Sequence, residues 1–130
     1  MPRVLLVDDD ARVLATIKRM LEINQYEVIA VSDARASLGA FERNPCDAAI
    51  VDIFMLEMDG MTVIKALRER APRLPVVVIS GGPEGAAALD FLREATNFTA
   101  IVCLQKPFRP PALIAALQQA VLQARTASAQ

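Results

Sequence analysis

The sequence predicts a doubly wound α/β fold, a five-stranded parallel sheet with helices on both faces. Short apolar runs without polar alternation, such as Ala48-Ala-Ile-Val51 and Pro75-Val-Val-Val-Ile79, read as strands buried on both faces, the habit of parallel sheets. Between successive runs lie segments whose apolar residues return at helical spacing, and parallel strands require right-handed helical crossovers of that kind. A third observation concerns chemistry. The runs end abruptly in carboxylates, a hydroxyl or a lysine, and open α/β sheets place their ligand sites at the carboxyl ends of their strands.

In chain order, Val4–Val7 is the first strand and stops at Asp8-Asp9-Asp10. Val13, Leu14, Ile17, Met20 and Leu21 then recur at helical spacing, with Arg12, Lys18, Arg19 and Glu22 between them. Tyr26–Val31 reads as a second strand and Ala34–Arg43 as a second helix, with Ser32 or Asp33 as its cap and Asn44-Pro45 as its stop. Ala48–Val51 is the third strand. Asp52 stands at its end, and Glu57, Met58, Asp59 and Gly60 form a turn. Gly60–Ala71 is a helix ended by Pro72, and Pro75–Ile79 is a strand ending at Ser80-Gly81-Gly82. Glu84–Ala95 reads as a helix with Leu89, Phe91 and Leu92 on its apolar side, and Ala100–Leu104 as the fifth strand, ending at Gln105-Lys106-Pro107-Phe108. Pro110-Pro111 opens the last helix, where the missing N–H costs little. Its inward face is read as Leu113, Ile114, Leu117 and Val121, and the small, polar tail from Arg125 is expected to fray. Without repeats, low-complexity linkers or a break in composition, residues 1–124 read as one domain followed by a short tail, 125–130.

A chain of 130 residues with 54% hydrophobic and 22% charged side chains can bury a real core, which excludes a disordered tail. The net charge of −1 gives no electrostatic case for nucleic acid or an anionic membrane as partner. No apolar run approaches the roughly 18–20 residues of a membrane span. The N-terminus opens directly into a strand pattern with no signal peptide, so the cytoplasm is the expected compartment. Cys46 and Cys103 are far apart and, with no histidine in the chain, form no zinc pattern; both are read as reduced thiols. The lack of histidine also excludes any mechanism that draws an imidazole from this chain.

Several carboxylates converging at one sheet edge repel one another and stay ionised together only near a strong positive charge. Asp8, Asp9, Asp10 and Asp52 therefore point to a hard divalent ion, and Mg²⁺ suits best because it takes one or two carboxylates and keeps several waters. Lys106 and Ser80 beside it would make a site for a phosphoryl group. With no histidine or plausible active cysteine, the nucleophile would be a carboxylate forming an acyl phosphate. Asp10 reads as a first-turn or capping acid favoured by the helix dipole, Asp59-Gly60 as loop and cap chemistry, Gly81-Gly82 as turn residues, and Phe108 as core packing.

Four motifs fall at successive strand ends: Val-Asp8-Asp9, Val-Asp52-Ile-Phe-Met with Met58-Asp59-Gly60, Val-Ile-Ser80-Gly, and Lys106-Pro107-Phe108. Each is weak alone. Together, in this order and over essentially the full length, they give a chain that resembles a receiver domain of a bacterial two-component response regulator, with its flavodoxin-like receiver fold. The resemblance implies that Asp52 accepts phosphate from a histidine kinase or histidine phosphotransfer protein. It implies that Asp9, Asp52 and the Phe54 backbone carbonyl ligate Mg²⁺, with Asp8 holding a metal-bound water. Ser80 would be the switch hydroxyl and Lys106 the phosphate-binding cation, with the Lys106–Pro107 bond cis. Chemistry would be limited to self-phosphorylation and self-dephosphorylation, so the chain is read as a switch and not an enzyme. A downstream protein, or a second copy in a homodimer, would bind the face formed by the Glu84–Ala95 helix, the fifth strand and the last helix.

The chain departs from the family pattern at four places. Leu56 stands where a proline is usual, Phe54 where many members have a polar side chain, and Cys103 where an aromatic usually precedes the lysine by three; Ala95–Ala100 lacks the usual Gly-Ala turn. Two other readings stay open. A haloacid-dehalogenase-like phosphohydrolase is suggested by Asp8-x-Asp10, although no later acidic pair follows Lys106. A receiver-like interaction module that is never phosphorylated is the other. A free-standing receiver is the expectation, since no output domain follows in this sequence.

Overall fold

Unbroken apolar runs build the centre of the sheet: all five residues of Ala48–Asp52 and of Val76–Ser80 are buried. The computed structural model describes residues 1–53, 60–80 and 100–128. Strands β1 (Arg3–Val7), β2 (Glu27–Val31), β3 (Ala48–Asp52), β4 (Val76–Ser80) and β5 (Ile101–Gln105) form one parallel sheet in the order β2-β1-β3-β4-β5. The described helices are α1 (Ala11–Ile23), α2 (Ser37–Arg43), α3 (Gly60–Arg70) and α4 (Pro110–Ser128). The helix expected over Glu84–Ala95 lies outside the described residues.

Successive side chains of a strand take opposite faces, and the two cores follow that alternation. Val4, Leu6, Ala48, Ile50, Val77 and Ile79 pack with Ile17 and Leu21 of α1 and with Leu113 and Leu117 of α4. Leu5, Val7, Ala49, Val51, Val76 and Val78 pack with Phe41 of α2 and Met61, Ile64 and Leu67 of α3. Both faces are thus covered, as the fold class requires. None of the described helices is long and apolar enough to cross a membrane.

The observed elements refine the sequence reading in four places. The expected Ala34–Arg43 helix begins as a 3₁₀ turn, Ala34–Ala36, and becomes α-helical only at Ser37. Asp33 is the cap, its carboxylate accepting from Arg35 N, while the buried Ser37 hydroxyl donates back to Ala34 O and tightens the turn. Helix α4 presents Ala116, Ala120 and Ala124 to the interior as well as Leu113 and Leu117, whereas Ile114 and Val121 are half-buried. It also runs to Ser128, past the Arg125 at which fraying was expected, and Thr126 Oγ1 donates to Leu122 O across 3.0 Å. Ala100 enters β5 with φ 60, in the left-handed region, at the end of the segment that lacks the usual glycine. Arg68 of α3 is buried and directs its guanidinium to Pro72 O (3.4 Å) and Ala100 O (3.3 Å).

Candidate functional site

The site grows out of the sheet's alternation. Asp8 continues the parity of Val4 and Leu6, Asp52 that of Ala48 and Ile50, and Lys106 that of Val102 and Leu104. All three therefore leave the sheet at its carboxyl edge on the side of α1 and α4. Backbone bonds hold the three strand ends: Asp8 N donates to Val31 O (3.2 Å), Ile53 N to Ile79 O (3.0 Å) and Lys106 N to Ser80 O (2.7 Å). The Lys106–Pro107 peptide is cis.

Lys106 Nζ lies 3.2 Å from Asp52 Oδ2 and 3.7 Å from Asp8 Oδ2. Asp8, Asp9 and Asp52 each bring a carboxylate oxygen to within 4.8 Å of the others. Asp8 and Asp52 are buried, and Asp9 is the more open to solvent. Asp8 Oδ1 accepts from Asp10 N (2.9 Å), while its Oδ2 is buried without a hydrogen-bond donor among the described residues. Burial pushes the Asp8 carboxyl up to about 6; the charges of Asp52 and Asp9 push the same way, against the Asp10 N–H and Lys106.

This donor set fits a hard divalent cation. It is all oxygen, it concentrates negative charge in a partly dry corner, one buried oxygen has no donor, and Asp9 offers a ligand from the solvent side. Asp10 takes no part in it: its carboxylate caps α1, accepting from Arg12 N (3.0 Å) and Val13 N (3.3 Å).

Ser80 is buried at the end of β4, and its Oγ has no hydrogen-bond partner among the described residues. It shares the parity of Val76 and Val78, so its side chain belongs to the α3 face, the face against which Cys103 packs. Ser80 ends β4 one residue past Ile79, the partner of Asp52, and so stands beside the acidic cluster at the same carboxyl edge. Neither Cys46 nor Cys103 is in a disulfide, and burial pushes the Cys46 thiol up to about 11, far from a reactive thiolate. Phe54, Leu56, Met58, Asp59, Gly81 and Gly82 lie outside the described residues.

Two features were not read from the sequence. Gly60 opens α3 and is buried against the end of β3, its N–H donating to Ile53 O (3.0 Å). A glycine at the start of a helix, where Ser, Thr, Asp, Asn or Pro is usual, was the available signal. The second is a cavity of about 350 Å³ lined by Arg12, Val13, Thr16, Ile17, Met20, Lys106, Pro107 and Phe108. It runs from the site along α1. Phe108, expected in the core, is half-buried and forms part of its wall.

Comparison with known proteins agrees with this fold. The family model of the response regulator receiver domain matches residues 4–118. The chain is 38% identical over 129 residues to the transcriptional regulatory protein PrrA of Mycobacterium leprae, covering 98% of this chain and 53% of that protein. It is 32% identical over 119 residues to the response regulator MprA of Mycolicibacterium vanbaalenii, covering 89% of this chain and 48% of that protein. The chain thus spans about half the length of these curated relatives. Among solved structures, a response regulator receiver domain protein of Clostridium thermocellum superposes with a TM-score of 0.83 at 26% identity, covering 97% of this chain and 98% of that one. A receiver protein of Sinorhizobium medicae does so with a TM-score of 0.80 at 30% identity, covering 95% and 96%. A parallel sheet in this strand order, acids and a lysine at its carboxyl edge, and a family match over most of the length lead to one conclusion: the chain belongs to the response regulator receiver domain family of two-component systems.

Proposed function

We propose that Asp52 is the phosphoacceptor of this receiver and takes its phosphoryl group from a phosphohistidine on a histidine kinase or phosphotransfer protein. The observation that carries this reading is the placement of the Asp52 carboxylate at the end of a central strand, 3.2 Å from the Lys106 ammonium and within the cluster of Asp8 and Asp9. An Asp52 oxygen attacks phosphorus; the new O–P bond forms as the P–N bond to the imidazole breaks, and the imidazole nitrogen keeps the electron pair. Hydrolysis reverses the gain: water attacks phosphorus, the O–P bond breaks, Asp52 regains its carboxylate, and the water proton leaves with phosphate or solvent. Lys106 neutralises phosphoryl oxygens in both steps, and the buried Ser80 hydroxyl is a donor for the same oxygens.

Mg²⁺ would be held by Asp9, Asp52 and the Phe54 carbonyl, with Asp8 acting through water; when bound it supplies positive charge to the transferring group. The largely apolar groove along α1 is the seat assigned to the phosphodonor, since Lys106 is part of its lining. The phosphohydrolase alternative needs Asp10 as a second working acid, and its engagement with Arg12 N and Val13 N counts against that role.

Incubation with acetyl phosphate and Mg²⁺, followed by intact-mass spectrometry, should show one added phosphate. Asp52→Asn should abolish it. Labelling of that variant at a rate comparable with the native chain would remove the assignment.

A further inference from the structure

We propose that Gly60 is a positioning residue for the phosphoryl chemistry at Asp52, an inference that rests on the phosphoacceptor reading above. A Cβ built on Gly60 would lie 2.6 Å from the Asp52 carbonyl oxygen, 2.6 Å from Ile53 Cα and 3.2 Å from the Asp52 carbonyl carbon. All three are backbone atoms of the segment that carries the acceptor. The first turn of α3 therefore presses directly on the Asp52–Ile53 peptide, and the Gly60 N–H bonds to Ile53 O from the same side.

Neither partner can step back freely. β3 is paired with β1 through Val51 and Val7 and with β4 through Asp52 and Ile79, and Ile53 N donates to Ile79 O. α3 is fixed by Met61, Val63, Ile64 and Leu67, all buried against the sheet; a retreat would open space beneath them. With both elements held, an added methyl strains the Asp52–Ile53 peptide itself and tilts it against its Ile53 N–H bond to Ile79 O. The Asp52 side chain springs from the adjacent Cα, so that tilt swings its carboxylate relative to Lys106 and the other acids. Misplacing a reacting group by about 1 Å costs on the order of 10²-fold in rate. Gly60 thus sets the direction in which Asp52 meets phosphorus, without touching phosphorus itself.

Gly39 supplies the control. Among the described residues a Cβ there would meet the tip of the Arg43 side chain, at 3.4 Å, on α2, a helix that supplies no residue of the acidic cluster. Gly60→Ala and Gly39→Ala are each compared with the native chain using acetyl phosphate and Mg²⁺. Gly60→Ala is also made in a Gly39→Ala, Ala100→Gly background, whose added stability keeps it folded. Two first-order constants are measured: labelling at saturating Mg²⁺ and loss of label after the donor is removed. Lower stability alone scales the constants with the folded fraction, so each is corrected by the folded fraction read from circular dichroism of the same sample. The expected result is a fall of about 10- to 100-fold in both constants for Gly60→Ala in either background, with Gly39→Ala unchanged. Native constants in Gly60→Ala, even with a smaller labelled fraction, would overturn the inference while leaving the phosphoacceptor reading intact. A native chain that takes no label would overturn that reading, and this inference with it.

Discussion

Replacing Asp8 by Asn should make the metal-free protein more stable at neutral pH. Asp8 is 1% exposed, and burial together with the Asp52 charge holds its carboxyl at about 6, against an ordinary 3.8. Because the folded-state value is the higher one, the folded chain favours the protonated acid. That contribution is fully present below about 3.8 and is lost as the pH rises through about 6. At ~1.4 kcal/mol per pH unit, the ionised acid leaves the folded state ~3 kcal/mol worse off than the protonated one. Asn keeps an acceptor for the Asp10 N–H and removes the charge, so a gain of about 2–3 kcal/mol is expected at neutral pH. Urea unfolding followed by far-ultraviolet circular dichroism, with a chelator present, should show that gain near pH ~7.5 and little of it near pH ~4. Added Mg²⁺ should narrow the gap from the other side by stabilising the native chain more than the variant. Equal stabilities at both pH values, or a native chain that is the more stable at neutral pH without metal, would refute the argument from burial and like charge.

Three further outcomes are expected. Asp10→Ala should cost about 1 kcal/mol through loss of the α1 cap, visible in urea unfolding, and should leave Mg²⁺-dependent labelling nearly unchanged. Ala100→Gly should stabilise the chain by about 0.5–1 kcal/mol, because relief of a left-handed alanine exceeds the added freedom of the unfolded state; a lower thermal midpoint would count against it. Arg68→Met should lose about 1–2 kcal/mol, read by the same unfolding assay, since two carbonyls lose a charged donor while Ala100 O still accepts from Val76 N.

The layer architecture was legible because a strand buried on both faces leaves an unbroken apolar run, and Val76–Ile79 or Ala48–Val51 has few other readings. The acids and Lys106 were legible as a set because each ends such a run. The side of the sheet taken by each was not used, although period-two alternation already separates Ser80 from Asp8, Asp52 and Lys106. The inward alanines of α4 escaped because alanine is at home on either side of a helix and so marks neither. The 3₁₀ opening at Ala34 escaped for a different reason: it depends on a hydroxyl bond from Ser37 that no periodicity reports. Arg68 was beyond sequence reasoning of this kind, since Ala100 is distant in the chain; at Gly60 the helix-opening glycine was a signal, but its contact with Asp52–Ile53 across the turn was not readable.

The alanine side of α4 has a mechanical consequence. Ala116, Ala120 and Ala124 have no side-chain torsions to reset, so where they meet the sheet side little can absorb a displacement. α4 packs on β5 and β4, and its first turn follows Lys106 by only a few residues. A load applied to its outer surface, where Leu122 stands exposed, is therefore carried as a rigid movement toward the strand end that holds the lysine. By the same stiffness, any repositioning of that lysine is felt along the helix as a tilt, with its far end at Ser128 describing the longest arc.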